Sequence, residues 1–361
     1  MSEKDFMDTP TLNPTNSMHD ALADTPERTE RRDVIYRAPQ PWLQKTEAFL
    51  ERTCKFEHGA NIFPFLHIIL FYLALAFLEF GVFDSLWLNV PIWLGMVLAN
   101  YSLSIGIQHL HTHRKMFTKN WLNRVTEILL TLPGGVSHPV MKYIHVHLHH
   151  RYDDGAGDPT STKGKEEGWA AVWYWISYGW LTHKETIRGL FAADAKPTWK
   201  RMRGQYIVDN ALMVAFAAAF LLYDPKGFVL LYLIPYVIVS TNIGYFAWLT
   251  HAPAREGKLN GSINNTNNWM NLFVHNQGYH SLHHVKPSIH WTAIPEHLEV
   301  MQEVDHDLIV PYWVTLESAY RILNPDKFRD EQHGEVWKQR NAEKKREGNY
   351  RLSGMPYFGW V

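Results

Sequence analysis

Residues 86–113 read LWLNVPIWLGMVLANYSLSIGIQHLHTH, a run without any Asp, Glu, Lys or Arg that closes on three histidines. A helix of about 20 apolar residues is long enough to cross the ~30 Å hydrocarbon core of a bilayer. The stretch therefore predicts a transmembrane helix that delivers imidazole side chains to one membrane surface.

Three further apolar runs resemble the first in length, and their only charged side chains are Glu79 and Asp209. They cover Ile62–Phe83, Tyr206–Tyr223 and Phe228–Thr250. Buried helices of a large soluble core are the alternative, but such helices carry polar stripes at helical period, which these runs lack. The runs are joined closely in pairs. The sequence therefore predicts an all-α membrane protein with four transmembrane helices in two hairpins.

The distribution of cations predicts the orientation of these helices. Residues 61–108 contain no Lys or Arg, whereas residues 109–205 contain 14 and the chain after His251 contains 12. Cytoplasmic loops are enriched in Lys and Arg. We therefore expect an integral, multi-pass membrane protein with both termini and a helical cap over residues 109–205 on the cytosolic side. Residues 1–60 contain no apolar segment of the kind found in a secretory signal peptide.

Composition divides the chain and excludes some functions. Residues 1–40 read as a disordered polar arm, 41–330 as the membrane domain with its cytosolic cap, and 331–361 as a charged C-terminal tail. The aromatic stretch Trp169–Trp180 predicts a segment at the membrane interface, with ordinary core packing as the alternative. A formal charge of −1 gives no electrostatic basis for nucleic-acid binding, and the single cysteine, Cys54, rules out an internal disulfide or a Cys-based metal site.

Histidines are concentrated in three short runs. Ten of the 21 histidines lie in His109-Leu-His111-Thr-His113, His145-Val-His147-Leu-His149-His150 and His280-Ser-Leu-His283-His284. A pH-sensing cluster also concentrates histidine. Spacings of three and four residues, however, place imidazoles on one helix face, as a shared metal site requires.

Helical geometry selects the candidate ligands, because residues four apart share a face and residues two apart do not. His109 therefore pairs with His113 and His145 with His149. His111 and His147 are excluded, although a shifted register that pairs His147 with His150 is an alternative. His251 joins the set because it follows the fourth predicted span. The nine candidates are His109, His113, His145, His149, His150, His251, His280, His283 and His284.

Nine imidazoles exceed what one ion accepts, so two metals are implied. Imidazole suits zinc, copper, iron or nickel. The chain contains no His-Glu-x-x-His motif of a zinc protease and lacks the paired Glu-x-x-His motifs of the ferritin-like di-iron proteins. The residues therefore predict an all-histidine dinuclear site at a membrane surface.

The three runs resemble the histidine boxes of the integral-membrane fatty-acid desaturase and hydroxylase superfamily. Asp158-Pro159, Asn276-Gln-Gly-Tyr-His280 and the lone His251 are similar to further family motifs, and the resemblance covers roughly residues 60–300. It implies two iron ions as cofactor, O2 as co-substrate, the nine histidines as iron ligands and no separate catalytic side chain. Two positions depart from the family pattern: Ala247 stands where the acyl-CoA desaturases carry an Asn, and His290 replaces a Pro.

We therefore expect an O2-dependent oxidation of a fatty-acyl chain, most simply desaturation. Hydroxylation and oxidative decarboxylation to a terminal alkene are alternatives at the same site, carotenoid or sterol oxidation is a fourth outcome, and a His-rich metal transporter is the alternative from another class. The chain has no cytochrome b5 motif, no Gly-x-Gly-x-x-Gly and no cysteine cluster. The expected partners are a fatty acid or fatty-acyl lipid, membrane lipid, and ferredoxin or cytochrome b5 with its reductase.

Overall fold

The computed structural model describes residues 41–81, 85–166, 168–252, 254, 257–305 and 308–310. The arm predicted for residues 1–40 and the tail predicted for residues 331–361 lie outside them. The described chain is built almost entirely of helices, and its only strands are two residues long.

Ten helices are labelled here in chain order, and one of them, α5, consists of three segments that follow without a break (His138–Met141, Lys142–His149 and His150–Tyr152). The others are α1 (Pro41–Cys54), α2 (Gly59–Glu79), α3 (Leu86–His113), α4 (Asn120–Gly134), α6 (Gly168–Leu190), α7 (Pro197–Tyr223), α8 (Pro225–His251), α9 (Asn268–Phe273) and α10 (His280–Val285). A 3-10 helix covers Trp291–Gln302, and Asn264–Asn265 pairs in parallel with Ile309–Val310.

Helices α2, α3, α7 and α8 are long and apolar enough to cross a membrane, which confirms the four predicted spans. Many of their large apolar side chains point outward, including Leu70, Leu98 and Val214. In a soluble protein such surfaces would be unfavourable, whereas in a bilayer they face hydrocarbon.

Three of the helices contain π-helical segments. These are Ser102–Ile107 in α3, Lys142–His149 in α5 and Phe228–Leu233 in α8. A π-helix has a wider turn than an α-helix and is found most often at functional sites. In α3 it ends just before the first histidine run, and in α5 it contains most of the second run, where it changes which histidines share a face.

Two apolar clusters hold the histidine-bearing helices in place. Ile105 of α3, Val140 and Ile144 of α5, and Val239 and Phe246 of α8 pack into one buried cluster. The other joins α2, α3 and α4 through Ile68, Met96 and Leu130, among others. Since both clusters include α3, its C-terminal end is fixed from two sides.

Helix α6 lies directly against α8. A Cβ at Gly244 would lie 2.6 Å from the Trp175 carbonyl oxygen, so only glycine permits this approach. On the other face of α6, Trp169, Trp173 and Trp180 are 85, 70 and 72% exposed. Their spacing of four and seven residues forms one outward stripe, which favours the interfacial interpretation over core packing.

Candidate metal centre

The first histidine run lies at the C-terminal end of α3. His109 is buried and its ring lies 5.1 Å from that of His113, measured between centroids. His111 is also fully buried but points to the other side, where its Nδ1 accepts a hydrogen bond from the Met116 amide at 3.3 Å. The predicted division of this run between two helix faces is therefore what the structure shows.

The second run lies mostly within the π-helical segment of α5. His145 and His150 are five residues apart, and their Nε2 atoms are 3.0 Å apart. A π-turn places residues i and i+5 together, whereas an α-turn would favour i and i+4. His149 consequently points to a different group from its two neighbours. His147 lies outside both groups, so the alternative register that pairs it with His150 is wrong.

The third run and the lone histidine complete the arrangement. His280, His283 and His284 lie on the short helix α10, and His251 is the last residue of α8. His283 turns toward the end of α3. His280 and His284 turn toward His251, with 3.0 Å between the Nε2 atoms of His251 and His280.

The nine predicted histidines thus form two groups. The first consists of His109, His113, His145, His150 and His283, and the second of His149, His251, His280 and His284. Within each group, one ring nitrogen of every member lies within 4.8 Å of those of the others. All nine side chains lie near one end of α3 and α8.

Proton sharing alone cannot satisfy the first group. His283 Nε2 lies 2.9 Å from the Nε2 atoms of both His109 and His150, and 3.3 Å from that of His145. One N–H donates to one neighbour at a time, so some of these nitrogens must direct lone pairs at each other. A cation between them would accept all the lone pairs, and the donor set therefore fits a metal such as iron.

In the second group, hydrogen bonds donated by Nδ1 fix the tautomers of three of the four histidines. His251 Nδ1 donates to the Gly261 carbonyl at 2.9 Å, and His149 Nδ1 donates to Asp158 at 2.7 Å. His284 Nδ1 pairs in the same way with Asp153 at 3.0 Å. Because Nδ1 carries the hydrogen, each Nε2 presents a lone pair to the centre of the group. Such outer partners orient the ligands in metal sites.

Burial favours the neutral imidazole form that binds metal. It is the main cause that lowers the pKa of His145, His283 and His284 well below the usual value. Asp158 behaves differently: burial raises its pKa, but the hydrogen bonds from His149 and Thr160 outweigh burial and lower it to about 2. The carboxylate therefore stays ionised and able to accept from His149.

A buried charge network supports the back of the first run, and sequence reasoning did not predict it. Glu127 of α4 contacts Lys115 and accepts from Gln205 of α7 at 2.7 Å, and its carboxylate lies 3.8 Å from His111 Nε2. His138 of α5 also lies 3.6 Å from it. The network ties α3, α4, α5 and α7 together. A single Glu in an amphipathic helix gives no local signal of such a role.

Two other buried histidines lie outside both groups. His290 Nε2 lies 2.8 Å from the Asn61 side-chain oxygen and its Nδ1 lies 2.7 Å from the Thr292 hydroxyl, so both ring nitrogens are used. The ring stacks on His58 with 3.9 Å between centroids. His275 is fully buried between His67 and Trp291. Neither is placed as a ligand.

A cavity of about 70 Å³ contacts both histidine groups. The apolar part of its lining comes from Ile105, Met141, Ile243 and Phe246. Ala247, four residues before His251 on α8, also lines the cavity. His109 and His145 reach it from the first group, and His149, His251 and His280 from the second. No Lys or Arg is among its lining residues in the described chain. The cavity therefore suits a narrow hydrocarbon segment.

The sequence model of the fatty acid desaturase family matches residues 85–316, a range that contains all nine histidines. The chain belongs to this family, whose members are membrane-bound oxidoreductases and typically carry two irons. Neither a curated protein nor a solved structure matches the chain.

Proposed function

We propose that the chain is a di-iron desaturase that introduces a double bond into a fatty-acyl chain with O2. The observation that carries the proposal is the narrow apolar cavity that touches both histidine groups. A hydrocarbon segment lying in it would have its C–H bonds beside both metals, and such proximity determines which bond reacts. The small volume of the cavity, about 70 Å³, disfavours the rigid ring systems of sterols and carotenoids.

The five histidines of the first group would hold one iron, and the four histidines of the second group would hold the other. Bound iron supplies the O2 chemistry that removes hydrogen from an unactivated C–H bond, which redox-inert zinc does not. The chain's own residues fix the tautomers of His149, His284 and His251 through Asp158, Asp153 and Gly261, and line the cavity with apolar groups. Burial favours the neutral form of His145, His283 and His284, whereas at His149 burial lowers the pKa but the hydrogen bond and charge of Asp158 outweigh it and raise the pKa. No described residue is needed as a separate general base.

The reaction balances only with two electrons from outside the substrate. Desaturation converts –CH2–CH2– and O2, with two electrons and two protons, into –CH=CH– and two waters. Ferredoxin or cytochrome b5 with its reductase would supply these electrons. We place the histidine groups, the cap and both termini on the cytosolic side, as the Lys and Arg distribution favours. Residues 41–330 would form the catalytic unit.

Metal content tests the first part of the proposal. Purified protein reconstituted with iron should contain close to two irons per chain by elemental analysis. His283→Ala should lower that number, whereas His290→Gln, whose side chain is outside both groups, should not. Protein that binds only zinc after reconstitution with iron would overturn the di-iron assignment.

Product analysis tests the reaction. The protein is expressed in a host that supplies ferredoxin and cytochrome b5 reductase systems, and lipids and headspace are examined by gas chromatography with mass spectrometry. A new double bond in the fatty acids is expected, and it should be absent with His283→Ala at equal expression. A hydroxy fatty acid or a volatile alkene would instead establish one of the two alternative outcomes. The absence of any oxidised product would refute the proposal.

A further inference from the structure

A surface groove of about 380 Å³ lies beside the second histidine run. Its walls come from the C-terminal end of α6 and the start of α7, and Tyr143 of α5 lies at its base. We call it the Trp199 groove and define it by Tyr143, Arg188, Gly189, Asp194, Lys196 and Trp199. It is separate from the cavity that touches the two histidine groups.

The chain around this groove is strongly cationic, although the whole protein is not. Residues 184–203 contain six cations and two acids, against a net charge of −1 for the full sequence. Arg188 is 79% exposed at its side chain and pairs with Glu185 at 3.7 Å. Two acids, Glu185 and Asp194, line the groove together with the two cations Arg188 and Lys196. Lys196 is exposed as well. The lining is balanced in charge, but Lys200 and Arg201 beside it are exposed too, so the exposed surface around the groove is net positive.

Aromatic side chains connect the groove to the second histidine run. Lys196 Nζ lies 5.1 Å from the centre of the Trp199 ring, and that ring meets Tyr143 edge-on at 5.0 Å. Tyr143 is 5% exposed, and its hydroxyl lies where a Cβ of residue 189 would be, so Gly189 is required for this packing. Tyr143 precedes His145, a member of the first group, by two residues on α5.

The proposed reaction needs two electrons for each O2, and one-electron carriers deliver them in two encounters. Such carriers must approach the metals closely without entering the substrate cavity. Exposed charges of opposite sign accelerate protein encounters and set their salt dependence. A groove in a net cationic surface, with Tyr143 of the helix that also carries His145 at its base, meets both requirements.

We propose that the Trp199 groove is the docking site for a small acidic one-electron carrier protein. The inference rests on the proposed function and adds the place where its electrons enter. Binding involves ion pairs from Arg188 and Lys196 to acidic groups of the carrier, with the carrier's redox centre facing Trp199 and Tyr143. Each encounter oxidises the carrier by one electron and reduces the metal centre by one.

Steady-state kinetics with varied carrier tests the proposal. Reduced plant-type ferredoxin and reduced cytochrome b5 are tried first, and the one that gives faster turnover is used. Arg188→Glu with Lys196→Glu should raise the half-saturating carrier concentration roughly tenfold at low ionic strength and leave the rate at saturation unchanged. Lys226→Glu, a single charge reversal at the far end of α7 and α8, should leave the half-saturating concentration as in the unmodified protein.

Reduced methyl viologen separates this inference from the proposed function, because it needs no protein docking site. The groove variant should match the unmodified protein when methyl viologen supplies the electrons. Equal half-saturating carrier concentrations for both proteins would overturn the docking site, as would turnover with methyl viologen but with neither carrier. No product with any reductant would instead refute the proposed function itself.

Discussion

Replacement of Asp158 by Asn tests whether outer partners control the metal centre. One carboxylate oxygen of Asp158 accepts from the Thr160 amide at 2.8 Å and the Thr160 hydroxyl at 2.6 Å, and the other accepts from His149 Nδ1 at 2.7 Å. An amide has only one acceptor oxygen. Since the two Thr160 donors hold that oxygen, the NH2 group of the Asn would face His149 Nδ1.

Two donors cannot face each other, so His149 must move its proton from Nδ1 to Nε2 or lose the contact. A proton on Nε2 occupies the lone pair that the second group directs at its centre. Loss of such an outer partner typically weakens metal binding by about 10- to 100-fold. That range corresponds to about 1.4–2.7 kcal/mol in binding free energy.

The assay is iron content per chain after equilibration with a graded series of chelator concentrations. Asp158→Asn should lose iron at a roughly 10- to 100-fold lower chelator concentration than the unmodified protein. Asp154→Asn is the matched control, because Asp154 is buried and binds the Thr162 amide and hydroxyl but has no histidine partner. Identical release curves for Asp158→Asn and the unmodified protein would refute the reasoning.

Three further predictions concern the surroundings of the site. The His111→Ala variant should keep its iron, because the His111 ring lies outside both groups. Its free energy of unfolding should fall by roughly 2–3 kcal/mol through loss of a buried ring and its hydrogen bond. Iron analysis and tryptophan-fluorescence melting measure the two effects, and iron loss below the melting temperature would contradict the prediction. Glu127→Gln should also lower the melting temperature, because it leaves buried partners of the carboxylate unpaired. The control is Glu57→Gln, in an exposed pair with Arg114, which should change the free energy of unfolding by less than about 1 kcal/mol. Equal shifts in melting temperature for the two variants would show that the Glu127 network is not stabilising. Lipids brominated near the headgroup should quench Trp173 on the exposed stripe of α6 more than half-buried Trp175, as measured by comparing the Trp173→Phe and Trp175→Phe variants in vesicles, and equal quenching would argue against an interfacial helix.

Sequence reasoning located the four spans and the nine histidines because both leave local signals. A span is a continuous apolar run, and a histidine pair on one helix face has a fixed spacing. The prediction that His111 points away from His109 and His113 follows from the same geometry and agrees with the structure. What the spacing did not show is that His111 is fully buried beside Glu127.

The division of the second run could not be read from its spacing. We expected His145 and His149 to pair, four residues apart, yet His145 joins His150 and His149 joins the other group. The cause is the π-helical segment Lys142–His149, whose wider turn is stabilised by packing against α3 and α8. That packing is a tertiary contact between helices far apart in the sequence, so the spacing of the histidines carries no sign of it. The Glu127 network escaped prediction for the same reason, since its members come from four separate helices.

The second and third histidine runs each supply members to both groups, which has a consequence for metal loading. Helix α5 contributes to both groups, and so does the short helix α10, because His283 serves one and its neighbours His280 and His284 serve the other. An ion bound in either group therefore orders the two helices that the other group also needs. By linkage, the first ion strengthens binding of the second. At limiting iron, a population of these molecules would divide into empty and fully loaded chains, with few carrying a single ion.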